Sequence, residues 1–204
     1  MAQTRQPRGR RGPSKGDLRE AAILDTARQL VAERPIASIT VDQLAGGAGL
    51  SRSTFYFYFE SRDAVFYTLA TDSLAELGGI LGEFESTTPA RAAIRQAVVR
   101  YLERWRVHGP LLRALSDHEL QLHEPWQTVH TRAADSISAL IEAERAADRA
   151  PGGPDARDLA VAFLAMMWRA GYEFSVEQPT GDAAIRKVDT LTTVFVRSIW
   201  CTPD

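Results

Sequence analysis

The chain has 204 residues, 45% of them hydrophobic, with 24 Lys and Arg against 26 Asp and Glu for a formal charge of −2, an ordinary balance for a globular protein with one sizeable core and a small added module. A single cysteine, Cys201, excludes an intramolecular disulfide framework and a cysteine metal cluster. No apolar run approaches the ~18 residues of a membrane span, and the charged N-terminus lacks the apolar stretch of a secretory signal, so the expected location is cytoplasmic.

Charge is unevenly spread. Residues 1–63 hold ten Lys or Arg against seven Asp or Glu, giving +3, while the remainder holds fourteen against nineteen, giving −5. A basic head on an acidic body suits a protein that touches nucleic acid with one end. Arg5, Arg8, Arg10, Arg11 and Lys15 precede any acidic residue. Residues 1–16, rich in Gly, Pro and Arg, have no apolar face and are expected to be a disordered arm, able to enter a minor groove or lie along phosphates.

Helix 1 is predicted from Asp17 to Arg34, with Ile23, Ala27, Leu30 and Val31 on one face and Pro35 ending it. Thr40 and Gln43 then form a capping box, flanked by Ile39 and Leu44 at the positions of a hydrophobic staple. The helix they open should reach about Ala48, where Gly49 makes the turn and Leu50 points inward. Ser51 caps a short second helix carrying Arg52, Ser53 and Thr54 in its first turn. Two short helices joined by a glycine turn read as a helix-turn-helix, whose second helix lies in the major groove of DNA. In the aromatic run that follows, Phe55 and Phe59, four apart, belong to the core, whereas Arg52, Ser53 and Tyr56 share another face and are the expected DNA contacts. Ser61 caps the next helix. Arg62 in its first turn opposes the helix dipole, which a DNA phosphate would explain, a solvated charge being the alternative.

Beyond Ser61, Val65, Phe66, Leu69, Leu74, Leu77, Ile80 and Leu81 give a helix 4 of about five turns linking the head to the body. Breakers at Thr88-Pro89, Gly109-Pro110, Glu124-Pro125, Pro151 to Pro154 and Gln178 to Gly181 then mark off helices of about 20, 10, 25, 23 and 19 residues, with Pro89, Pro110 and Pro125 at first-turn positions. The fold class is therefore all-α with nine helices: arm 1–16, helix-turn-helix domain 17–63, and a C-terminal bundle 64–204. The bundle is rich in aromatics over several helices. Phe84, Tyr101, Trp105, Trp126, Phe163, Trp168, Tyr172, Phe174, Phe195 and Trp200 stand beside Met166 and Met167, a composition that fits either plain core or an apolar pocket with few polar anchors.

Thr40-Val41, Ala45, Ala48-Gly49-Leu50-Ser51, the run Phe55 to Phe59 and Ser61-Arg62-Asp63 together resemble the motif of the TetR family of transcriptional repressors. Arg62 stands where that family has lysine, and Tyr58 where it often has histidine; each keeps a donor. The stretch GAGLSRSTFYFYF, Ile141 to Arg145, Glu177-Gln178-Pro179 and Val188 to Leu191 look like the EthR subfamily. The resemblance implies a homodimer on palindromic double-stranded operator DNA, released by a small apolar effector bound in the helical body. DNA contacts are assigned to Thr40, Ser51, Arg52, Ser53, Thr54, Tyr56, Tyr58 and Arg62. Effector contacts are assigned to Tyr101, Trp105, Trp126, Leu164, Met167, Trp168, Tyr172 and Phe195. It also implies that the two C-terminal helices pair across a two-fold axis, with Leu159, Ala162, Phe163, Ala165, Met166, Leu191, Val194, Phe195 and Ile199 supplying apolar surface.

Enzyme chemistry has little support in the sequence. His118 and His123 are five apart and leave one helical face, unlike the four-residue spacing of a zinc-protease helix, and Gly46, Gly47 and Gly49 follow a helix and not a strand. Ser116, Asp117 and His118 are adjacent and cannot converge as a triad. His108 and His130 read as surface or satisfied core. No metal or cofactor is expected. Two rival readings remain open: a DNA-binding regulator without an effector, and a helical small-molecule-binding protein or enzyme whose helix-turn-helix is vestigial.

Overall fold

A computed structural model describes residues 14–82, 89–116 and 122–200. The tail before Ser14, Phe84, His118 and Cys201 lie outside them. Among the described residues there are eight α-helices and one 3-10 turn, with no strand. The chain divides into two compact units, the first ending at Val65 and the second beginning at Phe66.

In the first unit, α1 (Lys15–Glu33) begins two residues earlier than predicted, because Ser14 accepts a hydrogen bond from the Asp17 amide at 3.1 Å while its own amide donates to Asp17 Oδ2 at 2.8 Å. This reciprocal cap draws Lys15 and Gly16, assigned on sequence to the arm, into the helix. Ile23, Ala27 and Val31 are buried on one face, and the chain turns extended at Arg34 before Pro35. A 3-10 turn (Ile36–Ser38) leads to α2 (Val41–Gly47). There Thr40 and Gln43 form the predicted box, with Thr40 N to Gln43 Oε1 at 2.8 Å and Gln43 N to Thr40 Oγ1 at 3.2 Å. Ile39 and Leu44 are both fully buried. Gly47 lies so close to α1 that an added Cβ would sit 2.4 Å from Thr26 Cγ2. Gly49 has φ +68°, and Leu50 N reaches back to the Ala45 carbonyl at 2.8 Å, closing the helix end in a left-handed turn.

The second unit holds most of α4 (Arg62–Gly82), then α5 (Ala90–Ser116), α6 (His123–Ala146), α7 (Ala156–Glu177) and α8 (Gly181–Trp200). α7 packs on both α5 and α6, and α8 on α5. Asp155 caps α7 by accepting from the Arg157 and Asp158 amides at 2.8 and 3.0 Å. Val188, Leu191, Phe195 and Ile199 form the buried stripe of α8.

The predicted break at Gly109-Pro110 does not occur: α5 runs through it as one helix of 27 residues, which leaves eight helices in place of nine. Pro110 offers no N–H to the Arg106 carbonyl, a local cost offset by what lies on either side. Leu111, Leu112 and Leu115 are buried, Arg113 donates to Ser175 Oγ, and Arg106 donates to Gln178 Oε1 at 2.9 Å and to the Pro179 carbonyl. Gly109 makes no turn. It permits close approach, since a Cβ there would lie 2.3 Å from Ser175 Cβ.

Trp105 occupies the centre of the bundle with no exposed surface. Its indole lies over Gly171 of α7, where an added Cβ would come within 2.3 Å of Nε1 and 2.4 Å of Cδ1. Neither the ring nor the helix backbone can yield by that much without repacking. Gly171→Ala should therefore destabilise the protein by about 1–3 kcal/mol despite the better helix propensity of alanine, read as a fall in the denaturation midpoint; an unchanged or raised midpoint would mean that the α5–α7 packing is looser than described.

Candidate DNA-reading surface and effector cavity

α3 is a single turn, Arg52–Phe55, continued by two bonds of 3-10 type from Phe57 N to Thr54 O and Tyr58 N to Phe55 O. Ser51 caps it, accepting from Thr54 N at 3.1 Å. Phe55 and Phe59 are buried with ring centroids 6.1 Å apart and fix the turn to the core. Arg52, Ser53 and Tyr56 are left exposed.

Arg52 is not free on that surface. Its Nη1 donates to Asp42 Oδ2 of α2 at 2.9 Å, its Nη2 reaches the Tyr56 hydroxyl at 3.4 Å, and its guanidinium lies 5.9 Å from the Tyr56 ring centroid. The Tyr56 hydroxyl and then the Asp42 carboxylate push its pKa above the ordinary arginine value, so the group stays charged.

The other assigned DNA residues have local partners. Thr40, Ser51 and Thr54 are engaged in capping, the Ser51 hydroxyl lying 2.9 Å from that of Ser53 and 2.8 Å from that of Thr54. Tyr58 is half-buried. Phe57, absent from the assigned set, is 88% exposed beside Tyr56; its place off the Phe55/Phe59 face was the available signal.

A phosphate is not needed to explain Arg62. Its Nη1 lies 3.1 Å from the Ile39 carbonyl, 3.3 Å from that of Ala37 and 3.5 Å from that of Ile36, and its Nε donates to Asp63 at 3.1 Å. The guanidinium thus collects the carbonyls around the 3-10 turn, a stronger reason for its position than a distant anion.

In the body, a cavity of about 30 Å³ is lined by Tyr101, Trp126, Leu164 and Trp168, as assigned, and by Leu74, Leu77, Gly78, Leu81, Val129, His130 and Ala133. Trp126 and Trp168 meet edge to face at 4.1 Å between centroids. Burial pushes the Tyr101 phenol above its ordinary pKa, so it remains a neutral hydrogen-bonding group. The remaining assigned effector contacts are not in this wall. Trp105 stands behind Trp168 at 4.9 Å, and Met167 is fully buried in the core. Tyr172 is exposed with Arg169 over its ring. Phe195 stacks on Phe163 at 3.8 Å and 17°. The α4 residues were missed because their spacing reads as an ordinary core stripe. His108 is satisfied by Ser73 Oγ at 2.9 Å and Glu76 Oε2 at 3.0 Å.

Family comparisons agree with this arrangement in both units. A profile for the tetR family of bacterial regulatory proteins matches residues 23–68, and one for the C-terminal domain of the transcriptional regulator EthR matches residues 91–201. The HTH-type transcriptional regulator EthR of Mycobacterium tuberculosis (strain ATCC 25618 / H37Rv) is 37% identical over 208 residues, covering 98% of this chain and 95% of that one. This chain belongs to the TetR family. Within that family it is EthR-like: EthR of Mycolicibacterium smegmatis is 36% identical with the same coverage. The fold recurs in solved structures at lower identity. GusR of Salmonella enterica superposes with a TM-score of 0.74 at 16% identity, covering 91% of this chain and 97% of that one, and FadR of Bacillus halodurans with 0.70 at 16%, covering 92% and 96%. As a TetR-family member the chain is a DNA-binding transcriptional regulator, and its EthR relatives are regulators and not enzymes. No helix among the described residues is long and apolar enough to cross a membrane.

Because Arg62 bonds carbonyls 23 to 26 residues upstream, Arg62→Ala should lower the stability of the N-terminal unit by about 1–2 kcal/mol and speed amide exchange around residues 36–40. Unchanged stability and exchange, with DNA affinity alone reduced, would return Arg62 to the role of a phosphate contact.

Proposed function

We propose that this TetR-family regulator is a repressor that binds a palindromic operator as a homodimer and is released by a small apolar effector in its helical body. The observation that carries the DNA half is the exposed face of Arg52, Ser53 and Tyr56 on a capped single turn. Arg52 is the base-reading group in this proposal, because its fork can pair with two acceptors on one guanine edge. The work is done in the cytoplasm, where the operator is.

Dimerisation is supported by apolar surface left over on the last two helices. Phe163, Leu191, Phe195 and Ile199, assigned on sequence to the interface, are buried inside the subunit, because the α8 stripe is used against its own core. What remains outward is Val161, Ala162, Ala165, Tyr172 and Val176 on α7 with Ile185 and Val194 on α8. The α7 residues share one face, while Ile185 and Val194 lie on opposite sides of α8; the α7 face suits a second copy, and a two-fold dimer doubles the base contacts of so short a reading helix.

The effector half is supported by the cavity between α4, α5, α6 and α7, apolar with Tyr101 and His130 as polar handles. A drug-sized ligand needs about 300–1,000 Å³, so binding must enlarge it. The helix that lines one wall with Leu74, Leu77 and Leu81 also carries Arg62 in its first turn. A ligand that favours the opened wall therefore shifts α4 between two populations.

Two measurements test this reading. Selection from genomic fragments should return a palindromic duplex bound in a salt-dependent way, on which Arg52→Ala costs about 1–3 kcal/mol against much less on random DNA; equal losses on both would demote Arg52 to a phosphate contact, and no enrichment at all would favour a vestigial helix-turn-helix. A screen of apolar compounds should find some that raise the melting temperature and release the selected duplex at the same concentrations. Compounds that stabilise the protein without moving DNA affinity would break the coupling, since equal binding to both states shifts nothing.

A further inference from the structure

We propose that Asp42 sets the sequence selectivity of the reading surface: its carboxylate holds the Arg52 guanidinium against the Tyr56 hydroxyl, so that Arg52 meets DNA as an oriented donor fork and not as a loose cation. The inference rests on the regulator reading above and adds a positioning residue to it.

A carboxylate on a surface that must approach phosphates is repulsive, and Asp42 is exposed there, with 65% of its side chain open and 59% of that of Arg52. Its partner accounts for it. Arg52 opens a helix of one turn, within which only the C-cap residue Tyr56 reaches its long side chain. Asp42 Oδ2 at 2.9 Å and the Tyr56 oxygen at 3.4 Å each take one terminal nitrogen, and each of those nitrogens keeps a second N–H for an acceptor on a base. The carboxylate is itself placed by the cap of α2, since Asp42 lies between Thr40 and Gln43 of the capping box. Its charge in the first turn also favours that helix.

The same pairing lowers attraction to DNA of any sequence. Residues 14–63 contain six Lys or Arg (15, 19, 28, 34, 52 and 62) and seven Asp or Glu (17, 20, 25, 33, 42, 60 and 63), a net of −1. Arg28, Arg34, Arg52 and Arg62 are all in ion pairs with Asp25, Glu33, Asp42 and Asp63. An arginine held by a carboxylate gains less from a phosphate, whose negative charge the carboxylate repels, than from a neutral base edge that uses the remaining donors.

The test uses the full-length protein, a duplex it enriches from a random library, and the unselected library as the reference. Asp42→Asn should bind the unselected library several-fold more tightly at low salt, while its preference for the enriched duplex falls by about tenfold. Should asparagine weaken the first turn of α2, Asp42→Glu keeps the charge there but shifts the carboxylate, and should also reduce the preference. In an Arg52→Ala background Asp42→Asn should change the preference no further. An enriched duplex whose preference survives both Asp42 substitutions overturns the proposal, as does a further loss in the Arg52→Ala background, which would give Asp42 a base contact of its own. Failure to enrich any duplex would defeat the regulator reading, and this inference with it.

Discussion

A helix of four residues has almost no stability of its own, because nucleation fixes several residues for each hydrogen bond gained. The proposed reading face on α3 therefore depends on contacts made outside α3. The Ser51 hydroxyl satisfies the Thr54 amide, Phe55 and Phe59 anchor the turn from below, and Gly49 supplies the left-handed residue that lets Leu50 N close on the Ala45 carbonyl. On the other side, Arg62 gathers the carbonyls of Ala37 and Ile39 around the 3-10 turn before α2, together with that of Ile36, which also accepts from Ile39 N. An arginine that opposes the dipole of its own helix is thus used to tie α4 to the start of α2.

Charge in the first unit separates affinity from selectivity. Once its four ion-paired arginines are set against their partners, the unit from Ser14 to Asp63 has little positive field to offer. The net positive charge of residues 1–63 comes from Arg5, Arg8, Arg10 and Arg11 in the segment before Ser14. Attraction from counterion release scales with the number of phosphates neutralised and is indifferent to sequence, so in the proposed repressor that segment supplies affinity. Base contacts by a nearly neutral reading face then decide where the protein stays.

Legibility followed the range of the interactions. The Thr40 box, the Gly49 turn, the Ser51 cap and the burial of Phe55 and Phe59 are set within four or five residues, and all could be read from the sequence. The Ser14 box is equally local but was hidden by Pro13 and Gly16, which suggested continued loop. The passage of α5 through Pro110 was not legible, because what sustains it is burial of Leu111, Leu112 and Leu115 and bonds from Arg106 and Arg113 to residues more than sixty positions away. For the same reason Phe195 and Tyr172 could not be separated from Trp126 and Trp168. Each lies on a helical aromatic stripe, and only the neighbouring helices decide which stripe meets a cavity, which meets Phe163 and which meets solvent.

The cavity gives the proposed effector work to do. At about 30 Å³ it holds little more than one water, and its walls are held together by Trp126 against Trp168 and by Val129 over Gly78, where a Cβ on α4 would lie 2.0 Å from Val129 Cγ1. The absence of a Cβ at Gly78 leaves room on α4 for the Val129 side chain of α6. A ligand large enough to bury a useful apolar area needs more room than this cavity offers. In this proposal its affinity is lower for the state described than for one in which the cavity is wider. A shift of the equilibrium requires such a difference, about 1.4 kcal/mol for each factor of ten in operator affinity. A preformed, roomy pocket would bind the same ligand more tightly and transmit less.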